Sequence, residues 1–209
     1  SMGTQFFEQS AVLKIDQGDA VRVSTAEGSV TADMVIVAGN AYQWFEKSLR
    51  SRFFPVRSYI IATEPLSDEQ LDTINPYDFA VCDPNYVLEY FRLSADKRLL
   101  FGRRCNYFGD DQDVIASQVR PHMLKIYPQL QNIRIDYAWG GTIAVPINRV
   151  PQIGKIAKNI FYSNAYSGHG VNVTHLAGEI VADAVGGTME RFDVFSEFRS
   201  NRIPGVGLD

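Results

Sequence analysis

Residues 151–187 read PQIGKIAKNIFYSNAYSGHGVNVTHLAGEIVADAVGG, a strand-like apolar run, a Gly-His-Gly turn and then an amphipathic helix. A buried strand that turns sharply into a long helix is one half-unit of a parallel α/β layer, so few patterns restrict a fold more. After Gly170 the residues Val173, Leu176, Ala177, Ile180, Val181 and Ala184 recur at helical spacing and predict one stripe facing a core, with Gly186-Gly187 ending the helix. At the start of such a helix, unpaired backbone N–H groups and the helix dipole favour a partly negative ligand atom. Two readings of Gly168-His169-Gly170 stay open on local pattern: an ordinary tight turn, or the seat of a dinucleotide or flavin.

A second buried strand is expected earlier. Met34 to Ala38 is a continuous apolar run ending in Gly39, which suits a strand covered on both faces, and ligands of open α/β sheets sit at such carboxyl ends. Before it, Ala11–Asp16 and Ala20–Thr25 flank Gln17-Gly18-Asp19 as an antiparallel hairpin. Asn40 is a candidate cap for a helix running to about Arg50.

From Pro55 the character changes. PVRSYIIATEPL is β-branched and aromatic, and Ser67 with Gln70 forms a capping-box signature for a short helix. Tyr86–Ser94 and Arg98–Phe101 flank Ala95-Asp96-Lys97 as a second hairpin. Asp110–Tyr127 has helical spacing, with Pro121 predicted to kink the helix or start another. Ile133–Trp139 and Thr142–Ile147 alternate on either side of Gly140-Gly141. The order is therefore parallel-type, antiparallel, then parallel-type again, as when one domain is inserted into another; the expected boundaries are 1–52, 53–150 and 151–209.

Composition removes several classes of function. With 20 Lys and Arg against 24 Asp and Glu, the net charge is −4 and no basic block exists for a nucleic-acid backbone. No apolar run approaches the ~20 residues that span a bilayer, so no membrane partner is expected. Cys82 and Cys105 are too few for a disulfide framework or zinc set, which points to reduced thiols and a cytoplasmic location. His169 and His175 do not share a helix face and His122 is remote, so no metal site is expected. The chain has no G-x-G-x-x-G, P-loop, nucleophile-elbow or H-E-x-x-H motif. Ser1-Met2-Gly3 reads as an added leader, and the expectation is a fragment without its own pyrophosphate-cradling loop.

Tyr86, Tyr90, Phe91, Trp139 and Tyr166 are either core aromatics or walls of an amine-binding cage. Arg57, Arg92 and Arg149 are either carboxylate clamps or partners in ordinary ion pairs.

PVRSYIIATEPLS, YVLEYFRLSADKRLLFG, RIDYAWGGT, RVPQIG and YSGHGVNVTHLAGEIVADAVGG, which together span most of the chain, resemble the flavin-dependent D-amino-acid-oxidase-like superfamily and, within it, bacterial gamma-glutamylputrescine oxidases. The resemblance implies a mixed α/β fold: part of a Rossmann-like FAD-binding domain with an inserted antiparallel-sheet substrate domain. It implies that Tyr166, Ser167, Gly168, His169, Gly170, Val171 and Asn172 lie against the flavin, Val12 near the adenine, and Ala38 and Gly39 near the pyrophosphate or ribose. Tyr90, Trp139 and Arg149 are the implied substrate-binding residues, and no catalytic residue is assigned. With no cysteine near Trp139, FAD is expected to be non-covalent in the full-length protein and absent from the fragment. Arg103-Arg104-Cys105, where relatives carry a glycine-rich turn, is expected to alter pocket charge.

The activity implied is hydride transfer from an amine such as gamma-glutamylputrescine to flavin. The alternatives are an N-methyl or D-amino-acid oxidase or dehydrogenase, and a non-catalytic ligand-binding remnant of a flavoprotein. The expected partner is a small-molecule amine, with self-association of the fragment through surfaces left uncovered.

Overall fold

The computed structural model describes residues 3–43, 45–85, 88–104, 111–198 and 200–204. The expectations for Tyr86, Cys105 and Asp110 lie outside the described residues, as does the side chain of Arg104.

In chain order the strands and helices are β1 (Lys14–Asp16), β2 (Val21–Ser24), β3 (Ser29–Ala32), β4 (Val35–Val37), α1 (Lys47–Arg50), β5 (Phe54–Thr63), α2 (Asp68–Ile74) and β6 (Val81–Cys82). Then come β7 (Glu89–Leu93), β8 (Leu99–Arg104), α3 (Gln112–Ile126), β9 (Ile135–Val145), β10 (Gln152–Ala157), β11 (Ile160–Asn164), α4 (Gly170–Val185) and α5 (Glu190–Ser196). The chain forms two compact units, residues 1–55 with 143–209, and residues 56–142. Among the described residues, no helix is long and apolar enough to cross a membrane.

The first unit holds an antiparallel sheet, β1-β2-β3, and a mixed sheet, β10-β11-β4, in which β4 and β11 run parallel. Helix α4 follows β11 and packs Ala177, Ile180, Val181 and Ala184 with Ile153, Phe161 and Phe192 of α5. Leu176, assigned to that stripe from spacing, is instead 42% exposed, because it falls at the margin of the buried arc. Asn159, in the turn between β10 and β11, donates from Nδ2 to the carbonyls of Gly18, Asp19 and Asp33, each at 3.1 Å. It thereby clips the β1–β2 turn and the entry to β4 onto the mixed sheet.

The apolar run at 34–38 does not behave as a strand covered on both faces. Asp33 and Met34 separate β3 from β4, and β4 is an edge strand of its sheet, so Ile36 is 50% exposed while Val37 is buried. Nor does Asn40 cap a helix to Arg50. A 3-10 turn at Asn40–Tyr42 precedes α1, which is capped by Glu46 accepting from the Ser48 N–H at 3.0 Å.

In the second unit the sheet order is β6-β7-β8-β5-β9. Alternation along its strands puts Tyr59, Ile61, Phe91, Leu93, Leu99 and Phe101 on one face, packed against Ile115, Val119 and Met123 of α3. These anchors lie on both sides of Pro121, so α3 runs through the proline as one helix rather than restarting there. The capping box forms as read: Ser67 accepts from the Gln70 N–H and Gln70 from the Ser67 N–H. Gly140-Gly141 is not a break between strands. Strand β9 runs straight through it, and a Cβ at Gly140 would sit 2.6 Å from the buried Tyr59 ring, so a close approach of side chain to backbone demands glycine here.

Candidate functional site

The carboxyl ends of β4 and β11 lie side by side, because Val37 pairs with Tyr162 in the parallel register. Beyond them the chain enters two turns of unusual backbone. Asn40 (φ +47°), Ala165 (φ +59°), Ser167 (φ +55°) and Gly168 (φ +92°) all adopt left-handed conformations, a concentration of strain typical of ligand-shaping turns. Asn40 Oδ1 accepts the Ala165 N–H at 3.1 Å, which joins the two turns.

Ser167 is buried, its N–H donating to the Ala144 carbonyl at 3.2 Å and its hydroxyl to the Arg149 carbonyl at 3.2 Å. The half-buried Tyr166 shares a 2.8 Å hydrogen bond with the Ser163 hydroxyl; burial pushes its phenol up, and the Ser163 bond partly opposes this. The turn is thus fixed from beneath. Gly168 and His169 are exposed above it.

His169 occupies the cap position of the 16-residue α4 and supplies no side-chain cap, and the first turn carries no acidic residue. Val171 is 90% exposed and a Cβ at Gly170 would touch nothing closer than 3.9 Å. The Gly170, Val171 and Asn172 N–H groups therefore open on accessible space with the positive end of the dipole behind them. His175 Nδ1 donates to the Val171 carbonyl at 3.1 Å, which commits that ring nitrogen to the helix backbone.

The residues around these turns fit a polar cofactor. The carboxamides of Gln43 (1% exposed) and Asn164 (fully buried) have no hydrogen-bond partner among the described residues. Such groups are costly unless a ligand or ordered water satisfies them. Gln43 lies against Gly39, where a Cβ would come 3.2 Å from the Gln43 side chain, and Asn164 ends β11. Ala38 and Gly39 are exposed at the end of β4. Val12 is half-buried two residues ahead of β1, not within it.

Of the residues implied for substrate, Tyr90 and Trp139 lie in the second unit and Arg149 in the first. Alternation places Tyr90 and the 43% exposed Trp139 on the sheet face turned away from α3. Tyr90 and Ser58 share a hydroxyl–hydroxyl bond of 2.9 Å. Tyr90 packs flat enough on β8 that a Cβ at Gly102 would overlap its ring. Arg149 is exposed, with φ +58°, in the turn where its N–H donates to the Pro146 carbonyl.

Arg103 does not load the open face with charge. It shares the α3 side of the sheet with Glu89, 3.7 Å from its carboxylate, and contacts His122, whose Nδ1 is 2.7 Å from the same carboxylate. Desolvation and then the Arg103 charge hold the His122 imidazole below its usual range, against the pull of Glu89.

Sequence reading missed Asn40, Gln43 and Asn164 in this site, and Ser58 and Gly102 in the second unit. For Asn40 a signal existed, since Asn after a strand-ending glycine tolerates a left-handed backbone. For Gln43 and Asn164 none did: burial of an amide without a partner is visible only in three dimensions.

Residues 1–184 match the family model described as FAD dependent oxidoreductase, DAO. The chain is 42% identical to the Escherichia coli (strain K12) gamma-glutamylputrescine oxidoreductase, covering 97% of this chain and 48% of that protein. It is 41% identical to a probable oxidoreductase OrdL of Haemophilus influenzae, over 98% of this chain and 47% of that one. It thus spans about half the length of these curated relatives. A glycine oxidase from Bacillus cereus superposes with a TM-score of 0.76 at 19% identity, covering 96% of this chain and 55% of that one. An L-proline dehydrogenase from P. horikoshii does so with 0.72 at 21%, covering 92% and 53%; these two likenesses bear on fold alone. The match across most of its length shows that the chain belongs to the DAO family of FAD-dependent oxidoreductases.

Proposed function

We propose that this chain is part of an FAD-dependent amine oxidoreductase and that its substrate is an amine of the gamma-glutamylputrescine type. The observation that carries the reading is the uncapped, exposed N-terminus of α4, set on a turn fixed by Ser167, Tyr166 and Asn40. The name of the 42% identical Escherichia coli relative supports the substrate class.

Gly168, His169, Gly170, Val171 and Asn172 are the residues that would hold the flavin edge, with Ala38 and Gly39 toward the phosphates. When bound, FAD supplies the acceptor for the hydride leaving the carbon beside a neutral amine nitrogen; the resulting imine is hydrolysed by water. The chain's own contribution is electrostatic. Peptide N–H groups aimed at a developing negative charge stabilise it without reorganising. The strained turn keeps those groups in place, and no side-chain acid or base is needed for a proton already absent from the amine.

Gly170 offers a clean test, because a Cβ there makes only ordinary van der Waals contacts, at 3.9 Å or more, with Thr174 and Tyr166. In the protein that carries the complete FAD domain, Gly170→Glu places a carboxylate at the helix start, which stabilises α4 but opposes negative charge on the ligand. Anaerobic flavin reduction should slow by about tenfold or more relative to the neutral Gly170→Gln, with thermal stability unchanged or higher. Equal reduction rates in the two variants would remove α4 from the site.

A further inference from the structure

Three polar side chains from three elements of the second unit meet where α3 covers the sheet. His122 of α3 has its Nδ1 2.7 Å from Glu89 Oε1 at the start of β7, and its Nε2 contacts Arg103 Nη1 on β8. Glu89 and Arg103 are cross-strand partners, so both are presented to one imidazole. The chemistry of these partners fixes the proton. A guanidinium only donates, so Nε2 must accept; an ionised carboxylate only accepts, so Nδ1 must carry the hydrogen. Neutral His122, in this one tautomer, satisfies both contacts. An imidazolium would turn an N–H toward an N–H and a cation toward a cation.

Among the described residues, the charged groups acting on His122 are Glu89 from β7, Arg103 from β8 and Lys125 from its own helix, and Lys125 adds to the opposition against a second positive charge. Arg103 is the weakly held member. Its Nε is 3.7 Å from Glu89 and has no hydrogen-bond partner, which leaves the His122 contact as the guanidinium's one hydrogen bond among the described residues. Asp83, just past β6, feels the Arg103 charge, but both its oxygens are engaged: Oδ1 by the Asn85 and Glu89 N–H groups, Oδ2 by the Asn85 carboxamide. The Arg103 side chain is 25% exposed and so has solvent to move into. Glu89, in contrast, gains a charge-assisted bond when His122 is protonated. Helix α3 itself is held by Ile115, Val119 and Met123, whose apolar contacts no proton alters.

We propose that His122 is a proton-operated latch on Arg103: neutral, it holds the guanidinium beside Glu89; protonated, it keeps the carboxylate for itself and releases Arg103 to solvent while α3 stays docked. Burial and then the Arg103 charge hold the native imidazole below its usual value of about 6.5, so the latch is closed above that pH and opens as pH falls through the native value.

The test is nitrogen-relaxation NMR of the Arg103 Nε–H in the 209-residue protein between about pH 7.5 and about pH 4.5. The signal should change from rigid to mobile with the same midpoint as the His122 ring signals. His122→Gln, which offers one acceptor and one donor and does not titrate, should keep Arg103 rigid throughout. His122→Lys, a charged donor only, should leave it mobile throughout. Amide exchange at Ile115, Val119 and Met123 should stay equally slow in all three proteins. Coupling is reciprocal, so Arg103→Gln should shift the His122 midpoint upward.

An Arg103 signal equally rigid at both ends of the range would overturn the latch. So would a transition that survives in His122→Gln, since another group would then be titrating, or an unchanged or lowered His122 midpoint in Arg103→Gln. Loss of α3 protection in step with the Arg103 transition would show that the helix moves rather than the side chain, and equally overturn it. The parent and His122→Gln decide the case even if His122→Lys does not fold.

Discussion

The Asn40 carboxamide oxygen accepts the backbone N–H of Ala165 at 3.1 Å, across 125 residues of sequence. That single bond ties the turn after β4 to the turn after β11, and Ala165 is fully buried, so its N–H has no solvent to fall back on.

Replacing Asn40 should therefore cost more than an exposed residue of its type. Asn40→Ala leaves a buried donor unsatisfied and puts a Cβ residue without a polar side chain at φ +47°. Asn40→Gly leaves the same donor unsatisfied but adopts the left-handed backbone without strain. The expected losses are about 1–3 kcal/mol for alanine and less for glycine. Urea unfolding measures them, with faster amide exchange at Ala165 in both variants. A glycine variant as stable as the parent, with Ala165 still protected, would show that the bond contributes nothing.

The orphaned amides predict the opposite sign. Gln43→Met and Asn164→Leu remove buried polar atoms that have no partner among the described residues. Each should raise the melting temperature of the cofactor-free chain, by the order of 1 kcal/mol in stability, while weakening FAD retention in the protein with a complete FAD domain. Lower melting temperatures in both variants would mean that the carboxamides are satisfied in solution.

In the second unit, Gly102→Ala should force the Tyr90 ring off β8, costing about 1–3 kcal/mol as overpacking does. Tyr90→Ala removes the obstacle. The double variant should then be more stable than the sum of the single losses predicts, and thermal denaturation of the four proteins completes the cycle. Strict additivity would contradict the contact.

Acid stability should depend on Asp136. Hydrogen bonds from Arg134 and then Arg98 hold its carboxyl below the usual carboxylate range. A depressed native pKa means that its contribution is complete above the unfolded-chain value of about 4 and drains away as pH falls through the native one. The melting temperature of Asp136→Asn should fall less steeply than that of the parent below about pH 4. Parallel acid limbs for the two proteins would refute the assignment.

The elements legible in the sequence are those whose signals are local. The Ser67–Gln70 capping box and the Ala95-Asp96-Lys97 hairpin each depend on residues within a few positions of one another, and both form as read. The Gly-His-Gly helix start was readable for the same reason. What escaped depends on distant neighbours. Gly140-Gly141 interrupts the alternating pattern in the sequence until Tyr59 is seen lying on Gly140, and Pro121 looks like a breaker until Val119 and Met123 are seen anchoring both sides. Helix α5 went unread because its seven residues bury chiefly Phe192, through an edge-on contact with Phe161 that no spacing rule reveals. The exposed Ile36 went unread because burial of an apolar run depends on what covers it, not on the run itself.

The Asn159 amide has two hydrogens for three carbonyls, so at least one of them is shared. Withdrawal of the Asn159 side chain removes the donor from all three acceptors at once, so the hairpin tip at Gly18-Asp19, the entry to β4 at Asp33 and the β10–β11 turn loosen together. Local opening there should be one cooperative event, and amides scattered over 140 residues of sequence should exchange as a single kinetic group.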